Sequence, residues 1–226
     1  MFFGFYAMVM ATTGQPHDAA IAIFVALVMD GLDGRVARLT HTETDFGADL
    51  DSLSDVISFG VAPAITWYFW QLEGLGKLGV GIAFFYTACV ALRLARFNNE
   101  VSDQKTYFQG LPCPAAAALL ASTIWCLEAA YLPFDVDFLS PFYITILPIL
   151  GFFMVSSLPY YSFKSIGDKG RVPFTALVAV VIVMVLFAWA PQMAAFIFFS
   201  LYVVHGLILG LIRCCNRGQH DHNSAD

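Results

Sequence analysis

Seven stretches of about 19 to 24 mostly apolar residues follow one another along this chain, and no water-soluble fold of this size buries them all. They cover about 19–39, 47–70, 78–98, 114–132, 138–157, 172–190 and 193–212. A helix needs roughly 20 apolar residues to cross bilayer hydrocarbon, where every backbone N–H and C=O must find its partner within the protein. Each stretch is therefore expected to be a transmembrane helix. The segment from Met1 to about Thr12 is also apolar but too short to span alone. Either that helix starts within the membrane or the chain continues before Met1. It carries no basic leader and no small-residue cleavage site, so it does not read as a signal peptide. Composition agrees with a lipid environment. Hydrophobic residues make up 59% and charged residues 12%, about half the charged share of a soluble domain. The fold predicted is an all-α integral membrane bundle of about eight transmembrane helices. One transmembrane domain covers 1–212, and a polar cytoplasmic tail covers 213–226.

The basic residues set the topology, because Lys and Arg accumulate in cytoplasmic loops. Arg35, Arg38, Arg93, Arg96, Lys105, Lys164, Lys169, Arg171, Arg213 and Arg217 all fall on one side of eight crossings, and only Lys77 falls opposite. Both termini and the 35–44 connection are thus expected in the cytoplasm. A net charge of −6 argues against a nucleic-acid binder, which would normally show a basic face. The five cysteines show no zinc or redox spacing; Cys89, Cys113 and Cys126 are expected to act as small hydrophobes. Trp67, Tyr68 and Trp70 read as interfacial belt residues, and the tail with His220 and His222 as a disordered, solvated end.

Seven carboxylates stand between residues 30 and 55, although both flanks are strongly apolar. Asp30 and Asp33 are three apart at the end of one span, and Asp51 and Asp55 are four apart near the start of the next. Each pair shares a helix face. A short turn over 40–45 makes the two helices antiparallel neighbours, so four carboxylates can converge. Two unit charges 4 Å apart repel by about 4 kcal/mol at an effective dielectric of 20, and four carboxylates contain six such pairs. A divalent cation removes that cost, and oxygen-only ligation suits hard ions such as Mg²⁺, Mn²⁺ or Ca²⁺. A solvated loop explains Glu43, Asp45 and Asp49. It does not explain Asp51 and Asp55, which are followed by no further charge before Glu73. Gly34, Ala37 and Gly47 leave room for a bulky ligand near the backbone, Arg38 can offer a fork of donors to a phosphate, and Thr44 or Asp45 can cap the following helix.

The pattern Asp30-x2-Asp33-Gly34-x2-Ala37-Arg38-x8-Gly47-x3-Asp51-x3-Asp55 resembles the signature of the CDP-alcohol phosphotransferase family. Further stretches, Asp51–Ala64, Ala91–Asn98 and Phe108–Ala115, are similar to its phosphatidylserine synthase branch. The resemblance implies a six-helix catalytic core, here followed by two C-terminal helices, in a homodimer. It implies two divalent cations, Mg²⁺ or Mn²⁺, held by Asp30, Asp33, Asp51 and Asp55, with Asp55 as general base. It places the CDP-lipid at Gly34, Ala37, Arg38, Thr44 and Gly47. One departure is that the family's first helix begins earlier, with a polar Asn/Thr-containing stretch near the nucleotide.

The reaction implied moves the phosphatidyl group of CDP-diacylglycerol onto L-serine at the cytoplasmic side of a bacterial plasma membrane. Serine brings a carboxylate, for which Arg93 and Arg96, three apart at the end of a span, are the candidates. Glycerol phosphate or inositol phosphate as acceptor, and outside the class a divalent-cation transporter, are the alternative readings. A transporter would keep its acids near the bilayer midplane, whereas these gather toward one face.

Overall fold

The computed structural model describes residues 1–40, 44–99, 107–129, 140–156, 159–161 and 184–223. The apolar stretches it covers are helical. They form α1 (Phe2–Thr12), α2 (Pro16–Thr40), α3 (Asp45–Asp55), α4 (Ala62–Trp67), α5 (Lys77–Asn99), α6 (Cys113–Glu128), α7 (Ser140–Val155) and α8 (Pro191–Asn223). Residues 184–189 make a further helical segment before α8. Two three-residue strands, β1 (Tyr107–Gln109) and β2 (Pro159–Tyr161), pair antiparallel with Phe108 opposite Tyr160. Lys105, Lys164, Lys169, Arg171 and most of the expected 172–190 span lie outside the described residues.

α3 and α4 belong to one helical path. A π-helical turn, Val56–Val61, joins them, and a second, Tyr68–Leu72, continues to a 3₁₀ turn at Glu73–Leu75. Gly76 ends the run at φ +56°, where a side chain would be strained. A π turn leaves carbonyls poorly matched to the helix ladder. Side chains from α5 meet them here: the Tyr86 hydroxyl donates to Phe59 O at 3.1 Å, and the Thr87 hydroxyl lies 3.4 Å from Gly60 O.

Small residues set how closely the helices approach. A methyl group on Gly4 would sit 2.7 Å from Cα of Ser58, so α1 lies directly on the first π turn. Gly60 gives α5 the same access through Val90. α6, with its run of alanines, is buried on nearly every side between α2 and α8, as expected of a helix apolar all round. α5 packs on α7. Trp67 is wholly buried in this core, donating from Nε1 to Leu120 O at 3.3 Å. It is therefore not an interfacial belt residue: the packing of α4 against α6 takes it inward. Trp70 is half-buried and donates to Glu128 Oε1 at 2.6 Å. Cys89, Cys113 and Cys126 are buried free thiols, as expected from their apolar settings.

Two helices, Lys77–Asn98 and Pro191–Ile208, are long and apolar enough to cross a membrane, and Phe2–Thr12, Cys113–Glu128 and Pro141–Val155 are shorter apolar helices. α2 has 25 residues, ample at 1.5 Å each, but Asp30, Asp33, Arg35 and Arg38 crowd its last third. With large apolar side chains such as Phe84, Leu92 and Leu201 exposed, the helices form a bundle suited to lipid. The C-terminal segment departs from expectation, because α8 continues as helix through His220 and His222 to Asn223.

Candidate active site

The C-terminal end of α2, the start of the α3 run, the C-terminal end of α5 and the N-terminus of α6 all lie at one end of the bundle. Thr44 stands just before α3 in extended conformation, and its hydroxyl accepts from Gly47 N at 3.1 Å. Thr44, not Asp45, is therefore the cap. The capped helix projects Asp51 and Asp55 one turn apart toward Asp30 on α2.

Asp30, Asp51 and Asp55 each offer a carboxylate oxygen within 4.8 Å of the other two. Asp30 and Asp55 are half-buried, and Asp51 is exposed. Asp33 is exposed and stands beside this group rather than within it, though its charge reaches all three. The side chains of Asp30 and Asp55 are in hydrogen-bond contact. Two carboxylates this close repel as bare anions, and a proton or a cation between them relieves the repulsion. Oδ1 of Asp55 is buried with no hydrogen-bond partner among the described residues. An oxygen-only, acid-only donor set with an orphaned buried oxygen fits a hard divalent cation.

The other expected residues lie on the same helices or, for Thr44, just before α3: Gly34, Ala37 and Arg38 on α2, Gly47 on α3, Arg93 and Arg96 on α5. Gly34 is half-buried with open space where a Cβ would stand. Gly47 lies against the Thr44 hydroxyl, which a Cβ would meet at 3.1 Å. Ala37 and Arg38 occupy the last turns of α2, and their side chains lie outside the described residues. Arg93 is half-buried and donates from Nη1 to Cys113 Sγ at 3.4 Å, while its Nε is buried without a partner among the described residues. Cys113 stands within electrostatic reach of both Arg93 and Asp55, so this arginine borders the carboxylate group. Arg96 is exposed near the end of α5.

The structure adds Cys113, Tyr202, Ser52 and Asn98, to which sequence reasoning gave no part in the site. Cys113 seats Arg93, Tyr202 on α8 approaches the same arginine, and Ser52 is tied to Asn98 at 2.9 Å. Ser52, Asn98 and Cys113 all lie inside the stretches quoted above for the resemblance, which was the available signal. Tyr202 lies in a plain apolar span and gave none.

The family model for CDP-alcohol phosphatidyltransferases matches residues 1–156. The chain belongs to this family. The match takes in the whole acidic group and ends at the close of α7. A Helicobacter pylori relative named CDP-diacylglycerol–serine O-phosphatidyltransferase is 35% identical over 209 residues, covering 92% of this chain and 86% of its own. A Saccharomyces cerevisiae protein of the same name is 39% identical over 142 residues, covering 56% of this chain and 51% of its own. One from Methanocaldococcus jannaschii is 48% identical over 98 residues, covering 43% and 46%.

Proposed function

We propose that this chain is a membrane enzyme that transfers the phosphatidyl group of CDP-diacylglycerol to the hydroxyl of L-serine, releasing CMP. The observation that carries this reading is the meeting of Asp30, Asp51 and Asp55 at one end of the bundle, in a family member whose relatives bear that activity's name. Asp30, Asp33, Asp51 and Asp55 would hold two divalent cations, Mg²⁺ or Mn²⁺. When bound, such ions neutralise the diphosphate and the charge that develops at the phosphorus.

The chain's own residues supply the rest. Gly34, Ala37 and Gly47 leave space for the nucleotide, and Arg38 and Thr44 offer donors to its phosphates. Arg93 and Arg96 receive the serine carboxylate, a role supported by the buried Nε that Arg93 holds toward this end of the bundle. Asp55 accepts the serine hydroxyl proton at Oδ1. The freed oxygen forms a bond to the lipid-side phosphorus. The bond from that phosphorus to the bridging oxygen breaks, and its electron pair leaves with CMP. Holding both reactants in line is the main contribution expected of the protein in such a transfer.

Eight crossings, a cytoplasmic active site in a bacterial plasma membrane and a homodimer complete the proposal; the one-sided distribution of ten of the eleven Lys and Arg residues supports the sidedness. The test uses purified protein in detergent with CDP-diacylglycerol and a divalent cation. Labelled serine should enter lipid with release of CMP in equal amount. Incorporation of glycerol phosphate or inositol phosphate in preference to serine would overturn the acceptor, and cation-independent inertness toward all three would overturn the enzyme.

A further inference from the structure

α3 carries Asp51 and Asp55 yet is thinly supported. From Phe46 to Asp55 every residue is exposed or half-buried, so packing fixes this helix only where it runs into the buried π turn after Asp55 and does little for the turns before it. α5 carries Arg93 and Arg96 and ends at Asn99. Between the two runs a side-chain bond: Asn98 Nδ2 donates to Ser52 Oγ at 2.9 Å. The Ser52 hydroxyl has already given its own hydrogen to Ala48 O at 3.1 Å, one turn back in α3. That fixes the direction of the tie, because Ser52 can only accept from Asn98 and an amide N–H is the donor available. The relay runs Asn98 to Ser52 to the α3 backbone, and Ser52 adjoins Asp51.

We infer that Asn98 and Ser52 are positioning residues, forming a strut that sets the distance between the carboxylates on α3 and the acceptor-binding arginines on α5. The inference rests on the reading of the site given above. A strut of this kind acts on the acceptor more than on the CDP-lipid, since the lipid diphosphate meets groups on α2 and α3 while the acceptor must bridge α3 and α5. Removing it lets α3 and α5 drift, and misplacement by about 1 Å can cost about a hundredfold.

Five proteins decide it: wild type, Asn98→Ala, Ser52→Ala, Ser52→Thr and the Asn98→Ala/Ser52→Ala double variant, each assayed for serine KM, CDP-diacylglycerol KM and kcat, with thermal melts in detergent. The strut predicts that each single change raises serine KM about tenfold, that the CDP-diacylglycerol KM moves less than about twofold, and that the double variant is no worse than either single. Ser52→Thr, which keeps the hydroxyl, should restore the wild-type serine KM. A large effect of Asn98→Ala with a silent Ser52→Ala would overturn the strut and make Asn98 a direct substrate contact. Equal rises in both KM values, tracking a lowered melt, would reduce the pair to a general fold contact and also overturn it. If wild type prefers another acceptor, the serine reading fails on that control, and the same five proteins read the strut through the KM of the acceptor used.

Discussion

Replacing Asp55 with Asn removes a charge from the three-carboxylate group while keeping the side chain's size, so its effects on stability and on turnover point in opposite directions. At the outer separation of 4.8 Å, two unit charges repel by about 3.5 kcal/mol at an effective dielectric of 20, and by about 0.9 kcal/mol in bulk water. Asp55 takes part in two of the three pairs. Solvent around exposed Asp51 and the proton or cation between Asp30 and Asp55 weaken the repulsion, so the relief falls at about 1–3 kcal/mol. Asn at 55 can still donate to Asp30. The cation-free variant should therefore melt no lower than cation-free wild type, and up to a few degrees higher. Mg²⁺ or Mn²⁺ should stabilise wild type clearly and the variant much less. Turnover should fall by about a hundredfold or more, the usual contribution of a positioned general base. Thermal melts in detergent with EDTA or cation, beside CMP release, measure both arms. Wild-type turnover in Asp55→Asn would refute its role as base, and an unchanged cation-induced stabilisation would refute its place among the ligands.

Chelation of wild type with EDTA should abolish CMP release, and added Mg²⁺ or Mn²⁺ should restore it; turnover that survives exhaustive chelation would count against the metal reading. Arg93→Ala should raise serine KM by about tenfold or more while leaving the CDP-diacylglycerol KM near wild type, measured by steady-state kinetics in mixed micelles, in keeping with the loss of a charge-assisted contact. Tyr86→Phe removes the donor that satisfies Phe59 O in the π turn below Asp55. An orphaned buried carbonyl costs about 1–3 kcal/mol, so the melt should drop by several degrees, and an unchanged melt would show that the carbonyl finds another partner.

What the sequence determined by itself was local. Apolar runs of bilayer length specify helices because lipid offers the backbone no alternative partner, and spacings of three and four put Asp30 with Asp33, and Asp51 with Asp55, on single faces. The signature spacing also pointed to the family. Tertiary structure decided which faces meet. It brought Asp30, Asp51 and Asp55 within 4.8 Å and left Asp33 beside them, because helical phase turns residues three apart by some 60° from one another and only the approach of α2 to α3 selects between them. It buried Trp67, which an aromatic cluster near a span end had suggested was interfacial. It placed a π turn directly after Asp55, where Gly4 and Gly60 let α1 and α5 close in, and it paired Ser52 with Asn98, 46 residues away. Periodicity fixes a helix and its faces within a few turns of chain. Contacts between distant segments depend on how small residues let whole helices approach, and no short window of sequence contains that.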